Sequence, residues 1–239
     1  MKKRAWKGKS LSVDILFTAA GVAQQIWIEH GNRGVLVDAG DGTLRDLLTN
    51  NHHCESVDGI LITHGHFDHM GGICSLLGFM RMIGRSEALI VVFPEGCREV
   101  VEIVRTFELL YADTVPFAIV MRSVQDGDVV EIGDMQITAR KVIHCGSISG
   151  AGILDPIPAV GYRVVCEGET VAVTGDTGDC PAVRELVAGA DLAIVEATFT
   201  DNDEIEPGTL ERVHLDTRRA EAIGSLARDY ILVHRHLQF

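Results

Sequence analysis

The sequence lacks a long apolar run, since none approaches the ~20 consecutive residues that a membrane-spanning helix requires. Its start, MKKRAWKGKSLSVDILF, is basic and then apolar. It has neither the long apolar core nor the small-residue cleavage site of a signal peptide, and we interpret it as leading into a first strand. These absences predict a cytoplasmic protein that does not span a membrane.

Basic and aromatic residues are also scarce. Lysine and arginine number 21 against 34 acidic residues, which gives a net charge of −13, and aromatic residues make up only 5%. A surface that binds nucleic acid needs positive charge for phosphates and rings for bases. The composition therefore favours a small substrate over RNA, although bound cations can recruit phosphate locally.

Cysteine pairs of the CxxC type are absent, and the spacing of the six cysteines matches no disulfide framework. We expect reduced and mostly buried thiols, as in cytosolic proteins. Neither a nucleotide-binding P-loop nor a Ser/His/Asp triad is recognisable as a motif. The chemistry must therefore come from other residues.

Short apolar runs alternate with turn signals along the chain. Hairpins come first, and strands then alternate with helices, which favours an α/β fold in which helices cover two facing sheets. Without a linker or repeat, the 239 residues predict one domain over 1–239. Helical patterns cover 41–50, 70–84, 95–110, 180–189 and 215–229. The pattern at 70–84 is apolar nearly all round, which predicts burial, and 147–159 is the most loop-like stretch.

The motif THGHFDH follows the apolar run GILIT (59–63) and carries four metal-binding side chains. They are His64, His66, Asp68 and His69. Gly65 permits the backbone turn that lets the first two histidines converge. N and O donors of this kind suit zinc, manganese or iron(II). His30, His52 and His53 flank turns or helix ends and are expected to lie in solvent.

With the two glycines that follow it, HGHFDHMGG resembles the signature of the metallo-β-lactamase superfamily, whose members are αββα-sandwich hydrolases. Further motifs of the superfamily occur in order along the chain. Asp38 closes GVLVD, His144 closes ITARKVIH, Asp176 lies in TVAVTGDTG, and His234 closes YILVH. The resemblance runs from about residue 13 to 236 and implies the αββα sandwich.

The resemblance implies two divalent metal ions, with zinc favoured over manganese or iron(II). One ion would be held by His64, His66 and His144, the other by Asp68, His69 and His234, and Asp176 would bridge them. Asp38 would either bind an ion or support the ligands from behind. His236 competes with His234 as the last ligand, and the sequence favours His234 because it ends the apolar run.

The second half resembles the tRNase Z and phosphodiesterase branch of the superfamily. The segment TGDTG is followed by VEATF, which carries Glu196, and by RVHLDT, which carries His214. The resemblance implies that a metal-bridged hydroxide attacks a phosphodiester. His214 would protonate the leaving alkoxide, and Glu196 would orient it and raise its pKa. Asp68, Glu196 and His214 are thus the predicted catalytic residues.

One departure concerns the long basic arm with which tRNA-processing members grip their substrate. The stretch between His144 and Asp176 has few basic residues and cannot form it. We therefore expect a small phosphodiester or related ester as the substrate, and a homodimer by analogy with the branch. The alternatives are a nuclease of the tRNA 3′-processing type, a thioester or lactone hydrolase, an iron-dependent oxygenase, and a metal-binding module without activity.

Overall fold

In the computed structural model, which describes residues 5–148, 152–200 and 202–236, two β-sheets face each other. The first sheet has seven strands in chain order. They are β1 (Ala5–Lys7), β2 (Ser12–Ala19), β3 (Ala23–His30), β4 (Arg33–Val37), β5 (Val57–Leu61), β6 (Leu89–Pro94) and β7 (Ile119–Val124).

The second sheet has six strands in the order β15-β14-β13-β12-β9-β8. In chain order they are β8 (Val129–Ile132), β9 (Met135–Lys141), β12 (Val160–Cys166), β13 (Glu169–Val173), β14 (Leu192–Glu196) and β15 (Tyr230–Val233). Between β9 and β12 the chain forms an antiparallel pair, β10 (Cys145–Ile148) and β11 (Gly152–Pro156).

Helices cover the outer faces of both sheets, so the predicted αββα sandwich is confirmed. The helices are α1 (Thr43–Thr49), α2 (Phe67–Met70), α3 (Ile73–Met82), α4 (Arg98–Leu110), α5 (Pro181–Val187), α6 (Thr209–Arg212) and α7 (Thr217–Gly224). A 3-10 turn spans Cys54–Ser56. None of these helices is long and apolar enough to span a membrane.

Three apolar layers hold the sandwich together. The central layer, with Ile26, Val37 and Tyr162, lies between the two sheets. A second layer packs α1, α3 and α4 onto the first sheet, and a third packs α5 and α7 onto the second. Both sheets therefore bury both faces, which explains why most strands are apolar runs without strict alternation.

Parallel strands in each sheet bring the carboxyl ends of several strands to one side of the molecule. Strands β4 to β7 run parallel in the first sheet, and β13 to β15 run parallel in the second. The two sheets approach each other there, where the N–H of Val160 donates to the carbonyl oxygen of Thr63 at 2.9 Å and His64 bridges to Ala159. Side chains that follow strands of both sheets can therefore meet at this edge.

The helix predicted over 70–84 is found as the single helix α3, from Ile73 to Met82, and is only partly buried. Gly71 and Gly72 separate it from α2, and a Cβ on Gly72 would lie 2.2 Å from the carbonyl oxygen of Gly40. This close approach requires glycine, and it separates α3 from the short helix α2, which holds the end of the THGHFDH motif. The burial prediction was wrong at the helix end, because Met82 is 69% exposed.

Two other boundaries differ from the sequence prediction. The predicted loop 147–159 holds strand β11 and the end of β10, while 149–151 lie outside the described residues. The helix predicted to 229 ends at Gly224, because the next residues bond to the loop before β14. There the carbonyl oxygen of Leu226 accepts from Gly189 at 3.0 Å, and Arg228 donates to Ala190 at 2.9 Å.

A buried tyrosine links the two sheets. The hydroxyl of Tyr162 on β12 donates to the carbonyl oxygen of Ile62, directly after β5, at 2.6 Å. Tyr162 is fully buried. A phenylalanine would preserve the packing and leave this buried carbonyl without its donor.

We expect Tyr162→Phe to lower the free energy of unfolding by about 1–2 kcal/mol, because a buried acceptor loses its partner. Urea denaturation of chelator-treated protein would show a lower midpoint with an unchanged slope. Tyr230→Phe is the matched control, because its ring is 36% exposed and its hydroxyl has no hydrogen-bond partner among the described residues. Equal midpoints for the two variants would contradict the role of Tyr162.

Candidate metal centre

Three histidines bring ring nitrogens together beside the carboxyl end of β5. Nδ1 of His66 lies 3.0 Å from Nε2 of His64 and 3.3 Å from Nε2 of His144. Nδ1 of His144 donates to the carbonyl oxygen of Val213 at 2.8 Å. Its Nε2 therefore carries the lone pair that faces the other two rings.

A second group forms next to the first from helix α2 and the end of β15. Nε2 of His234 lies 3.2 Å from Oδ2 of Asp68 and 3.3 Å from Nε2 of His69. His234 is 2% exposed. His236 is exposed instead, with its ring centre 5.8 Å from that of Phe199. The structure thus brings His234, and not His236, into this group.

Asp176 lies between the two groups. Its Oδ2 is 3.3 Å from Nε2 of His69, 3.4 Å from Nε2 of His234 and 3.8 Å from Nε2 of His64. Its Oδ1 is buried without a hydrogen-bond partner among the described residues. Burial opposes ionisation, but the imidazoles of His234 and His69 outweigh it and hold the pKa of Asp176 well below its usual value.

Asp38 lies behind the second group, against His69 and Thr63. Its Oδ2 accepts from Nδ1 of His69 at 2.7 Å, and its Oδ1 accepts from the N–H of Thr63 at 2.8 Å. Since Nδ1 is bonded to Asp38, Nε2 is the ring nitrogen that faces His234 and Asp176. The sequence left open whether Asp38 binds an ion or supports a ligand. The geometry favours the second, because Asp38 orients the ring of His69 from behind.

The strands that carry these groups end in strained backbone. Asp38 has φ 60° directly after β4, and His234 has φ 54° directly after β15. Non-glycine residues rarely adopt this left-handed conformation, which costs of order 1–3 kcal/mol. At His234 the N–H donates to Oγ1 of Thr18 at 2.6 Å, and Nδ1 lies 3.0 Å from Oγ1 of Thr198. These two contacts hold the strained backbone of His234 in place.

The donor set fits divalent transition metals. The nearest N···N and N···O separations of 3.0–3.4 Å resemble the ~3.4 Å edge of a tetrahedron with bonds of about 2.1 Å. Burial lowers the pKa of His64 and His66, and that of His144 to about 3, so these rings are neutral and offer lone pairs. The groups able to hold an ion include His64/His66/His144, Asp68/His69/His234 and His64/His69/Asp176.

A buried carboxylate and a histidine form a separate pair beside the cluster. Nδ1 of His214 donates to Oε1 of Glu196 at 3.1 Å. The same oxygen accepts from the N–H groups of Leu215 and Thr177 at 3.0 and 3.3 Å, and Oε2 accepts from the N–H and Oγ1 of Thr198, both at 3.0 Å. Glu196 is 1% exposed. Its position is thus fixed, and the bond leaves Nε2 of His214 free to meet a ligand.

A cavity of about 740 Å³ opens onto part of this cluster, and His66, His144, Asp176 and His234 line it. The turn Ala20–Gly21 between β2 and β3 borders it on one side, and Ile153 of β11 and residues 204–206 border it on the other. His214 and Asp68 line the cavity together with His236. A ligand in this space would contact metal-binding side chains and His214 at the same time, while Glu196 lies buried behind His214.

Some contributors could not be found from histidine and aspartate motifs. The hydroxyls of Thr63 and Thr198 contact cluster residues, yet neither threonine belongs to a motif that the sequence marks as functional.

The cysteine prediction is confirmed within the described residues, where all six cysteines are free and only Cys74 is exposed. His53 is exposed as expected, but His30 and His52 are half-buried. Nδ1 of His30 lies 2.9 Å from the carbonyl oxygen of Ser10, and the ring centre of His52 lies 5.2 Å from that of Trp27.

The sequence matches a known protein family and curated relatives. A family model described as the beta-lactamase superfamily domain matches residues 33–236. A ribonuclease Z from Bacillus cereus (strain AH820) is 25% identical over an alignment of 257 positions, which covers 91% of this chain and 82% of the relative.

Two solved structures share the fold. The short form of human tRNase Z superposes with a TM-score of 0.76 at 23% identity, covering 94% of this chain and 92% of that one. Zn²⁺-bound PqqB from Methylobacterium extorquens superposes with a TM-score of 0.73 at 16% identity, covering 94% of this chain and 89% of that one.

We expect the protein to bind two equivalents of Zn²⁺, and Asp38→Asn to weaken that binding by roughly 10–100-fold, because His69 loses the carboxylate that orients it. Metal analysis and competition with a chelator dye would measure both quantities. Asp14→Asn is the matched control, because Oδ2 of Asp14 contacts Nε2 of His52 at 3.2 Å in a carboxylate–histidine pair outside the cluster. Equal affinities for the two variants would contradict the role of Asp38.

Proposed function

Since this chain belongs to the beta-lactamase superfamily, we propose that it is a dinuclear, metal-dependent phosphodiesterase for small substrates. As a member of that superfamily it is a metal-dependent hydrolase. The phosphodiester assignment depends on one observation: His214 lines the cavity beside the imidazole cluster, and the buried carboxylate of Glu196 holds its ring from behind. The ribonuclease Z relatives support it, because RNA is joined by phosphodiester bonds.

The proposed ligands divide into two sets around a shared carboxylate. They are His64, His66 and His144 for one ion, Asp68, His69 and His234 for the other, and Asp176 for both. Two bound divalent ions would supply an activated water and would stabilise the negative charge that develops on the phosphate. Asp38 would keep Nε2 of His69 directed at the second ion.

His214 would donate the proton to the leaving alkoxide. Burial lowers its pKa, but the negative charges of Glu196 and Asp176 outweigh burial and raise the pKa to about 9. The ring is therefore protonated at neutral pH, with Nδ1 held by Glu196. The proton on Nε2 is then available to a leaving group in the cavity.

A small substrate is favoured by the charges around the cavity. Arg163 is the only basic residue between His144 and Asp176 in the sequence. Among the described residues, no lysine or arginine lines the cavity. A long polyanion such as tRNA would find little positive charge outside the metal ions.

The test compares two phosphodiesters after metal loading with Zn²⁺ or Mn²⁺. We expect turnover of both bis-p-nitrophenyl phosphate and methyl p-nitrobenzyl phosphate, and none after dialysis against a chelator. His214→Ala should lower kcat for the benzyl ester by about 10²–10⁴-fold, since its alkoxide needs a proton. The loss should be much smaller for the first substrate, whose p-nitrophenolate leaves without one.

His53→Ala serves as the control, because His53 is an exposed histidine remote from the motifs. An inactive metal-loaded protein would contradict the proposal, as would an equal loss on both substrates in His214→Ala. Hydrolysis of thioesters or lactones without phosphodiesterase activity would instead identify the main alternative.

We propose further that the protein is cytoplasmic and dimeric. The six free cysteines suit a reducing compartment. Helix α4 ends in Leu109 and Leu110, which are 79% and 69% exposed, close to the 40% exposed Tyr111. An apolar surface of this kind is suited to a partner copy. Sedimentation at micromolar concentration should give twice the chain mass, and Leu109→Ser with Leu110→Ser should reduce it to one chain.

A further inference from the structure

The rim of the cavity carries charge of one sign. Outside the imidazole–carboxylate cluster, the charged residues that line it are Glu204 and Glu206. Both are exposed, and neither forms an ion pair with a lysine or arginine among the described residues. Bound ions would account for the phosphate of a substrate, but they leave these two carboxylates without a counter-charge.

An aromatic ring lines the same cavity. Phe199 is half-buried, with its ring centre 6.0 Å from that of His214 and 5.8 Å from that of His236. Ile153 and Ile205 also line the cavity. Carboxylates and an aromatic face in one cavity can receive an ammonium group, through charge attraction and cation–π contact.

The acidic segment is connected to the proposed proton donor. The N–H of Thr209, the first residue of α6, donates to the carbonyl oxygen of Glu206 at 3.2 Å. Helix α6 then leads to His214, whose N–H donates to the carbonyl oxygen of Thr209 at 3.2 Å. The segment that carries Glu206 is thus joined by backbone hydrogen bonds to the segment that carries His214, and all three side chains line the same cavity.

On the premise of the proposed phosphodiesterase function, we propose that the substrate is a phosphodiester with an ammonium group on one ester arm. Glu204, Glu206 and the face of Phe199 receive that group while the phosphate occupies the metal centre. The same two carboxylates repel a substrate whose arms carry further phosphates. The acidic rim therefore selects among phosphodiesters by the charge of the arm.

The test uses two esters of the same shape. p-Nitrophenyl phosphocholine and p-nitrophenyl 3,3-dimethylbutyl phosphate differ only in a quaternary nitrogen and a quaternary carbon. We expect kcat/KM of the metal-loaded protein to be about tenfold higher for the choline ester, as two exposed carboxylates and one ring would give. The ratio should fall towards one as salt rises, because exposed charges are screened.

The double variant Glu204→Gln, Glu206→Gln should bring the ratio of the two kcat/KM values close to one. Cleavage of the choline ester should slow, and cleavage of the dimethylbutyl ester, whose arm is uncharged, should become slightly faster. Glu102→Gln is the control, because it removes an exposed carboxylate from α4, outside the cavity lining. A wild-type ratio near one, or a ratio that the double variant leaves high, would overturn the inference while phosphodiesterase activity remains.

Calorimetry separates the inference from catalysis. Metal-loaded protein should bind phosphocholine about tenfold more tightly than 3,3-dimethylbutyl phosphate, by the same attraction. If neither ester is cleaved but this preference holds, only the proposed reaction fails; equal binding would overturn the inference. Glycerophosphocholine in solution and phosphatidylcholine in vesicles both carry a phosphocholine group. The one that competes with phosphocholine for binding shows whether the natural substrate is a soluble ester or a lipid.

Discussion

The site depends on one buried carboxylate placed among imidazoles. Asp176 reaches towards His64, His69 and His234 with a single oxygen, and its other oxygen has no partner in the described structure. Rings packed this closely cannot all carry a proton, because like charges in a buried space repel each other. Divalent ions between the rings would accept the lone pairs of the neutral imidazoles and would balance the negative charge of Asp176.

Much of the site could be predicted because its residues follow strands in a fixed order. His64, His144, Asp176 and His234 each come after an apolar run, and parallel strands carry their ends to one edge. The sequence could not decide whether Asp38 binds an ion, because that depends on which ring nitrogen of His69 it meets. Nor could it reveal the carbonyl oxygen of Val213, since backbone groups leave no signature in a sequence.

The fold was predictable in its layers and less so at its boundaries. Apolar periodicity indicated a helix over 70–84, but it could not report that Gly72 packs against the backbone of Gly40, so that the helix begins only at Ile73. Strand β11 was hidden by glycine and proline, which are usually loop residues. In both places a contact between distant segments overrides the local preference of the chain.

The two sheets contribute unequally but jointly to the cluster. The turn after β5 supplies His64 and His66 and helix α2 supplies His69, whereas Asp176 and His234 follow strands of the second sheet. Ions held between them would act as cross-links that exist only in the folded chain, so loading would add their binding energy to folding. Metal scarcity in the cell would then raise the fraction of opened copies that proteases can degrade, and supply of the ion would set the abundance of the protein as well as its activity.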